Sequence, residues 1–93
     1  MMYRGRKVDV VLDVRSALER LFGRVKGSVH IPLGRLEDEL PRQAGIQKSS
    51  TILVHCAAGV RSAQAVAIMR RMGYANVIDG VSLAAVRREL QPD

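Results

Sequence analysis

The chain has 93 residues, 47% of them hydrophobic and only three aromatic, which is enough apolar material for one domain with an aliphatic core. Fifteen basic against nine acidic residues give a net charge of +6, which favours anionic ligands and partners. No apolar run approaches the roughly 20 residues needed to span a bilayer, and a single cysteine excludes an internal disulfide. We therefore expect one domain over residues 1–93, cytoplasmic and without membrane association.

The basic residues are scattered along the chain rather than gathered into one motif. No aromatic side chains for base stacking are interleaved with them, and no nucleic-acid-binding motif is present. A solvated surface explains these charges better than a nucleic-acid site, so nucleic acid is not an expected partner.

The first part of the chain predicts a strand and a short helix. Residues 8–14 are a β-prone run that ends near Asp13 and Arg15, two charged residues that either form a local ion pair or support a site. Ser16 and Glu19 have the spacing of a capping box at a helix start. The helix ends at Gly23, and its apolar side chains, which are Leu18, Leu21 and Phe22, share one face.

The middle of the chain predicts a second strand and a brief helix. Residues 28–31 form the strand, and His30 within it is interpreted as a hydrogen-bonded structural residue because no metal ligand is spaced to join it. Residues 33–40 form the helix, with Leu36 and Leu40 facing inward and Pro41 ending it.

The stretch from residue 51 to residue 62 is the candidate active site. A buried strand over residues 51–55 runs into Cys56, followed by small residues and by Arg61. Such a loop before a helix turns backbone N–H groups inward, and the helix dipole adds positive potential. A cysteine there reacts as a thiolate, although a lone cysteine is often only a small buried hydrophobe.

The last third of the chain predicts a helix, a strand and a helix. The first helix covers residues 63–72 with an apolar face, and the strand covers residues 76–79 with Gly80 closing it. Ser82 caps the final helix, whose inward residues are Leu83, Val86 and Leu90. Strands that alternate with helices predict an α/β fold, with a mostly parallel sheet of four to five strands and helices on both faces.

Two motifs resemble the rhodanese family of sulfurtransferases. Residues 56–62 (CAAGVRS) are similar to its active-site loop, with four residues between cysteine and arginine, and residues 12–15 (LDVR) match a second signature. Both termini match loosely, and residues 1–7 leave little room for the additional element that the family usually has there. The resemblance implies a single rhodanese-like domain.

The resemblance also implies a site and a reaction. Cys56 would attack a sulfane sulfur, from thiosulfate or another persulfide donor, and pass it as a persulfide to cyanide or to a thiol, including a thiol on a protein. Arg61 would face the anion or brace the loop. Asp13 and Arg15 would support the site. The substrate would lie against Ala57, Ala58, Gly59, Val60 and Ser62, although the position of Ser62 favours a helix cap over contact with the sulfur. No metal or organic cofactor is needed.

Two other function classes remain open at this point. One is a cysteine-dependent phosphatase or arsenate-reductase-like enzyme, although phosphatases carry five residues between cysteine and arginine and need an acid that no Asp here is placed to supply. The other is a non-catalytic binding or sulfur-relay module. Neither the physiological donor and acceptor nor the oligomeric state follows from the sequence.

Overall fold

The computed structural model describes residues 1–93, with seven strands and four α-helices. The strands are β1 (Met2–Tyr3), β2 (Arg6–Lys7), β3 (Val10–Asp13), β4 (Val29–His30), β5 (Ile52–Cys56), β6 (Val77–Ser82) and β7 (Leu90–Gln91). The helices are α1 (Ala17–Leu21), α2 (Leu36–Glu39), α3 (Val60–Arg71) and α4 (Leu83–Glu89), with 3₁₀ turns at Leu33–Arg35 and Leu40–Arg42. None of these helices combines the length and the hydropathy that a membrane span requires.

The main sheet has four parallel strands in the order β4-β3-β5-β6. All five residues of β5 are buried, because the sheet is covered on both faces. The larger core lies on the face of β5 that carries Ile52 and Val54, where Met69 of α3 packs. The smaller core lies on the opposite face, where Leu53 meets Val86 of α4. The predicted α/β fold, with a parallel sheet flanked by helices, is confirmed.

Residues 2–7 form more structure than their length suggested. Strands β1 and β2 make an antiparallel hairpin, and β7 pairs with the other edge of β1. Tyr3 is only 3% exposed and belongs to the smaller core. The two ends of the described chain are therefore joined in a second, three-stranded sheet.

Strand β6 corrects the prediction that Gly80 closes the last strand. The strand continues to Ser82, and its register against β5 shifts between Asp79 and Val81, so that Gly80 is the extra residue of a bulge. A Cβ on Gly80 would lie 2.8 Å from Cγ2 of Val86 and 3.0 Å from the carbonyl oxygen of Val54. Glycine thus permits close packing rather than a chain reversal, and the strand runs on beside Cys56.

Helix α2 agrees with its prediction in its inward face but not in its end. Leu36 and Leu40 are fully buried, as expected. Pro41 does not stop the chain's helical path, because a 3₁₀ turn over Leu40–Arg42 accommodates it in the first turn. A proline is tolerated there since the first N–H groups of a helix have no intrahelical partner anyway.

Helix α1 keeps its capping box but buries none of its residues. Ser16 and Glu19 exchange both capping hydrogen bonds, as predicted. Leu18, Leu21 and Phe22 share a face that an amphipathic helix ordinarily turns inward, yet they are 66%, 78% and 85% exposed. Polar contacts, described below, hold this helix in place.

Candidate active site

The residues after β5 form a tight cradle around the only cysteine. Helix α3 begins at Val60, one turn before the predicted start at residue 63. Gly59, with φ 104°, makes this early start possible, because few other residues adopt that left-handed conformation. A Cβ on Gly59 would also lie 2.9 Å from Cγ1 of Val81. Arg61 and Ser62 are consequently in the first helical turn rather than in a loop.

Cys56 lies at the bottom of this cradle and is 1% exposed. Its Sγ accepts hydrogen bonds from the backbone N–H groups of Gly59, at 3.0 Å, and Ser62, at 3.3 Å. Burial raises the pKa of the thiol, but hydrogen bonds from Ser62, Gly59 and Ala58 outweigh it and bring the pKa below its ordinary value. The cradle therefore favours the thiolate.

The rim of the cradle is apolar and open to solvent. Ala57, Ala58 and Val60 are exposed, while Gly59 is half-buried. The carbonyl oxygen of Val81 lies 3.4 Å from Sγ on the side of β6. No sequence pattern pointed to Val81, because the Gly80 bulge is what directs it toward the cradle.

Ser62 is not the helix cap that its position suggested. Gly59 is the N-cap residue of α3, and Ser62 lies fully buried one turn later. Its hydroxyl oxygen is 3.1 Å from the carbonyl oxygen of Gly59 and 3.4 Å from that of Val81. Ser62 thus ties the cradle to β6, while its own N–H faces the sulfur.

Arg61 braces the cradle against α1. Its two terminal nitrogens donate to the two carboxylate oxygens of Glu19, at 2.6 and 2.8 Å. Both side chains are about one-third exposed. The Arg61 guanidinium and the capping contacts of Ser16 lower the pKa of Glu19 to about 2. Arg61 therefore links the first turn of α3 to α1.

Glu19 is a neighbour of the cradle that the sequence analysis assigned only to a helix cap. The capping box accounted for its carboxylate, and that box is present. Nothing in the local sequence reveals its second partner, because Arg61 is 42 residues away along the chain. One carboxylate therefore serves as both the cap of α1 and the anchor of the cradle.

Asp13 and Arg15 form a buried ion pair beneath α1. Asp13 is fully buried, and Arg15 reaches its two carboxylate oxygens at 2.8 and 3.0 Å. Arg20 of α1 adds a contact of 3.1 Å to the same carboxylate, and Arg15 also donates to the carbonyl of Gly23 at 2.6 Å. Burial raises the pKa of Asp13, but the hydrogen bonds from Arg15 have the larger effect and bring the pKa below its usual range. This network supports α1 and does not contact the cysteine.

The two histidines have different environments. The Nε2 atom of His30 lies 2.7 Å from the carbonyl oxygen of Arg15, which confirms its interpretation as a hydrogen-bonded residue. His55 is fully buried next to Cys56, and burial lowers its pKa. Its Nδ1 lies 3.3 Å from the Cys56 carbonyl oxygen, while its Nε2 has no partner. Both histidines therefore contact the main chain rather than the sulfur.

The sequence is similar to a known domain family and to proteins of known name. Residues 2–80 match the rhodanese-like domain. The chain is 35% identical over 66 residues to thiosulfate sulfurtransferase PspE of Escherichia coli, covering 71% of this chain and 62% of that protein. It is 34% identical over 91 residues to adenylyltransferase and sulfurtransferase MOCS3-2 of Zea mays, covering 90% of this chain and 18% of that protein.

Solved structures of other proteins also resemble this chain in fold. The human single domain sulfurtransferase TSTD1 superposes with a TM-score of 0.67 at 25% identity, covering 84% of this chain and 77% of that one. The Alr3790 protein from Anabaena gives a TM-score of 0.77 at 28% identity, covering 91% of this chain and 67% of that one. The chain spans less than two-thirds of the length of the curated relatives named above.

Proposed function

Because this chain belongs to the rhodanese-like domain family, we propose that it is a sulfurtransferase that carries a sulfane sulfur on Cys56 as a persulfide. One observation carries the proposal: the backbone N–H groups of Gly59 and Ser62 donate to Sγ of Cys56 and help to lower the pKa of the thiol. A thiolate is the nucleophile that sulfur transfer requires. Relatives named as sulfurtransferases support the same reaction class.

The proposed reaction has two displacements. In the first, the thiolate of Cys56 attacks the outer sulfur of a donor such as thiosulfate. A new S–S bond forms, the donor's S–S bond breaks, and sulfite leaves with its electron pair. In the second, a thiolate acceptor attacks the terminal sulfur, which leaves Cys56 as a thiolate again. Charge and atoms balance in both steps, so that no oxidant or reductant is consumed.

Each part of the cradle has a proposed role in this cycle. The N–H groups of Gly59 and Ser62, which hold Sγ in the free protein, would donate to the negative charge of the persulfide. The first turn of α3 would add its dipole. Ala57, Ala58 and Val60 would line the entrance. Without a charged side chain among them, a persulfide on a thiol or protein is a better donor than thiosulfate.

The remaining site residues would act through the position of the cradle. Arg61 is held by Glu19, so it would fix the first turn of α3 rather than bind the donor. Asp13 and Arg15 would keep α1, and with it Glu19, in place. No observation of this kind favours phosphoryl chemistry, because the only arginine in the loop is engaged by a carboxylate.

Intact mass after incubation with a donor tests the proposal. We expect treatment with thiosulfate or a polysulfide to add the mass of one sulfur atom, which cyanide or dithiothreitol removes. The matched control is Cys56→Ser, which should gain no mass. Absence of an adduct with every donor would overturn the proposal, and rapid hydrolysis of an aryl phosphate would favour the phosphatase class instead.

A further inference from the structure

The exposed side of α1 is an apolar surface with nothing covering it. We call Leu18, Leu21 and Phe22 the α1 face; their exposed fractions are 66%, 78% and 85%. Single exposed apolar side chains are ordinary, but three on one face of a helix mark an interaction site more often. Phe22 is also one of only three aromatic residues in the chain. Aromatic side chains are enriched where proteins bind proteins.

The α1 face lies beside the opening of the cradle. Glu19 follows Leu18 in the helix, and its carboxylate holds Arg61 in the first turn of α3. Val60, next to Arg61 on the rim, is 70% exposed. Because Cys56 is only 1% exposed, an acceptor thiol must be presented at this rim. A protein acceptor would therefore cover the residues around the opening.

Beyond α1, the chain lines a positively charged cleft. A cavity of about 320 Å³ lies between the loop after α1 and the end of α4, and we call its basic residues, Arg24, Lys26 and Arg87, the cationic cleft. None of the three is in an ion pair. Arg87 also donates to the carbonyl of Arg24 at 3.2 Å, which fixes α4 to the loop. These three side chains thus add positive charge to a cleft where the Met1 ammonium is already paired with the Asp93 carboxylate.

The α1 face and the cationic cleft are continuous along the chain. Phe22 and Arg24 are two residues apart, which is at most about 7 Å of extended backbone. The floor of the cleft is apolar, since Val25 and Leu90 contribute to its lining. A ligand that crosses from one to the other would meet apolar groups first and positive charge next.

We propose that the α1 face and the cationic cleft form the docking surface for a sulfur-acceptor protein, whose contact segment carries apolar side chains next to carboxylates. The proposal rests on the proposed sulfurtransferase function and names the class of its acceptor. Apolar contact supplies burial, and the opposite charge steers and orients the encounter. A second copy of this chain is disfavoured as the occupant, because two chains of charge +6 would bring like charges together.

Synthetic acceptor peptides test this surface. Three peptides of equal length carry one cysteine at a glycine spacer: one combines Leu, Phe and Glu, one replaces Leu and Phe by Ser, and one replaces Glu by Lys. The chain is loaded with sulfur, and transfer to each peptide is followed by mass. Each rate is divided by the rate of that peptide with a small disulfide, which corrects for its thiol reactivity. We expect the acidic and apolar peptide to accept sulfur about 10-fold faster than the other two.

Two double variants and a matched control assign the effect to the surface. Leu21→Ser with Phe22→Ser, and Arg24→Gln with Lys26→Gln, should each raise the KM for the acidic and apolar peptide about 10-fold. Transfer to cyanide, which needs no docking, should stay unchanged. The control is Lys48→Gln with Arg71→Gln, which also removes two positive charges, but near the C-terminal end of α3 and away from the cleft. This control should leave the KM unchanged.

Failure of docking and failure of sulfur transfer are separable. Fluorescence anisotropy of the labelled acidic and apolar peptide, with its cysteine replaced by serine, measures binding to Cys56→Ser without any chemistry. Binding that the two surface variants weaken and the control does not supports docking, even in a chain that takes no sulfur. Equal binding or equal transfer for all three peptides would overturn the proposed docking surface. Tighter binding of a double-stranded DNA oligonucleotide to the same residues would overturn it as well.

Discussion

Helices α1 and α3 share a pattern of apolar residues but are attached to the molecule in opposite ways. In α3, Ala65 and Met69 are fully buried against the sheet. In α1, no residue is buried, and the side chains that hold it are charged. Glu19 binds Arg61, and Arg20 binds Asp13. An apolar stripe therefore indicates a helix without deciding whether the stripe is buried.

The difference follows from length and position. Helix α3 has 12 residues and follows the central strand β5 directly, so it crosses the sheet and covers the larger core. Helix α1 has five residues, about 7.5 Å of helix, and ends at Leu21. It is too short to cover a sheet face, and the buried Asp13 holds it instead at the carboxyl edge of the strands.

The largest effect is expected from removing the charge beneath α1. Asp13→Asn should lower the free energy of unfolding by about 3–5 kcal/mol, since it leaves the almost fully buried Arg15 without its counter-charge. Urea denaturation at neutral pH measures the change. A loss below about 1 kcal/mol would mean that the ion pair is not what attaches α1.

A truncation in the face of α3 should come next. Met69→Ala removes a fully buried side chain and should cost about 2–5 kcal/mol of unfolding free energy. Met72→Ala, at the half-buried residue that directly follows this helix, is the matched control and should cost clearly less. Equal losses at the two positions would show that burial in α3 is not as the structure places it.

The contact between the two helices should depend on pH. The pKa of Glu19 is about 2 in the folded chain, against an ordinary value of 4.5. Its contribution to stability is thus complete above about pH 4.5 and is lost as the pH falls toward 2. Glu19→Gln should lower the Tm above pH 5 and remove this part of the acid dependence. Identical Tm curves against pH in both proteins would contradict the bracing role.

The pKa of the Cys56 thiol tests whether the cradle at the start of α3 is formed. The alkylation rate of Cys56 should titrate with a midpoint below the ordinary thiol value, because N–H groups of the cradle stabilise the thiolate. The same chain in denaturant, where the cradle is absent, is the reference and should titrate at the higher value. Coincident midpoints would show that the cradle has no effect on the thiol.

The smallest effect is expected on the exposed side of α1. Leu21→Ser should change the free energy of unfolding by no more than about 0.5 kcal/mol, as for most surface positions. Denaturation at neutral pH is again the measurement. A loss above about 1.5 kcal/mol would place Leu21 in a core and would remove the basis for a docking surface.

Local features of the sequence were sufficient for most of the architecture and for the position of the cysteine. The alternation of strands and helices predicted the parallel sheet, and the apolar run before Cys56 predicted a central strand buried on both faces. The inward positions of Leu36 and Leu40 were also correct. These features depend on periodicity, on capping and on short-range backbone preferences, which neighbouring residues express without the rest of the fold.

Only the tertiary structure decided how the cradle is held and which apolar residues are exposed. Glu19 and Arg61 are 42 residues apart, and Val86 packs against Gly80 at the bulge so closely that a Cβ there would lie 2.8 Å from its Cγ2. The exposure of Phe22 depends on the position of α1, which the ion pair between Asp13 and Arg20 holds in place. Each of these contacts joins distant parts of the chain, so its energy exists only once the sheet has assembled and cannot be read from any one segment.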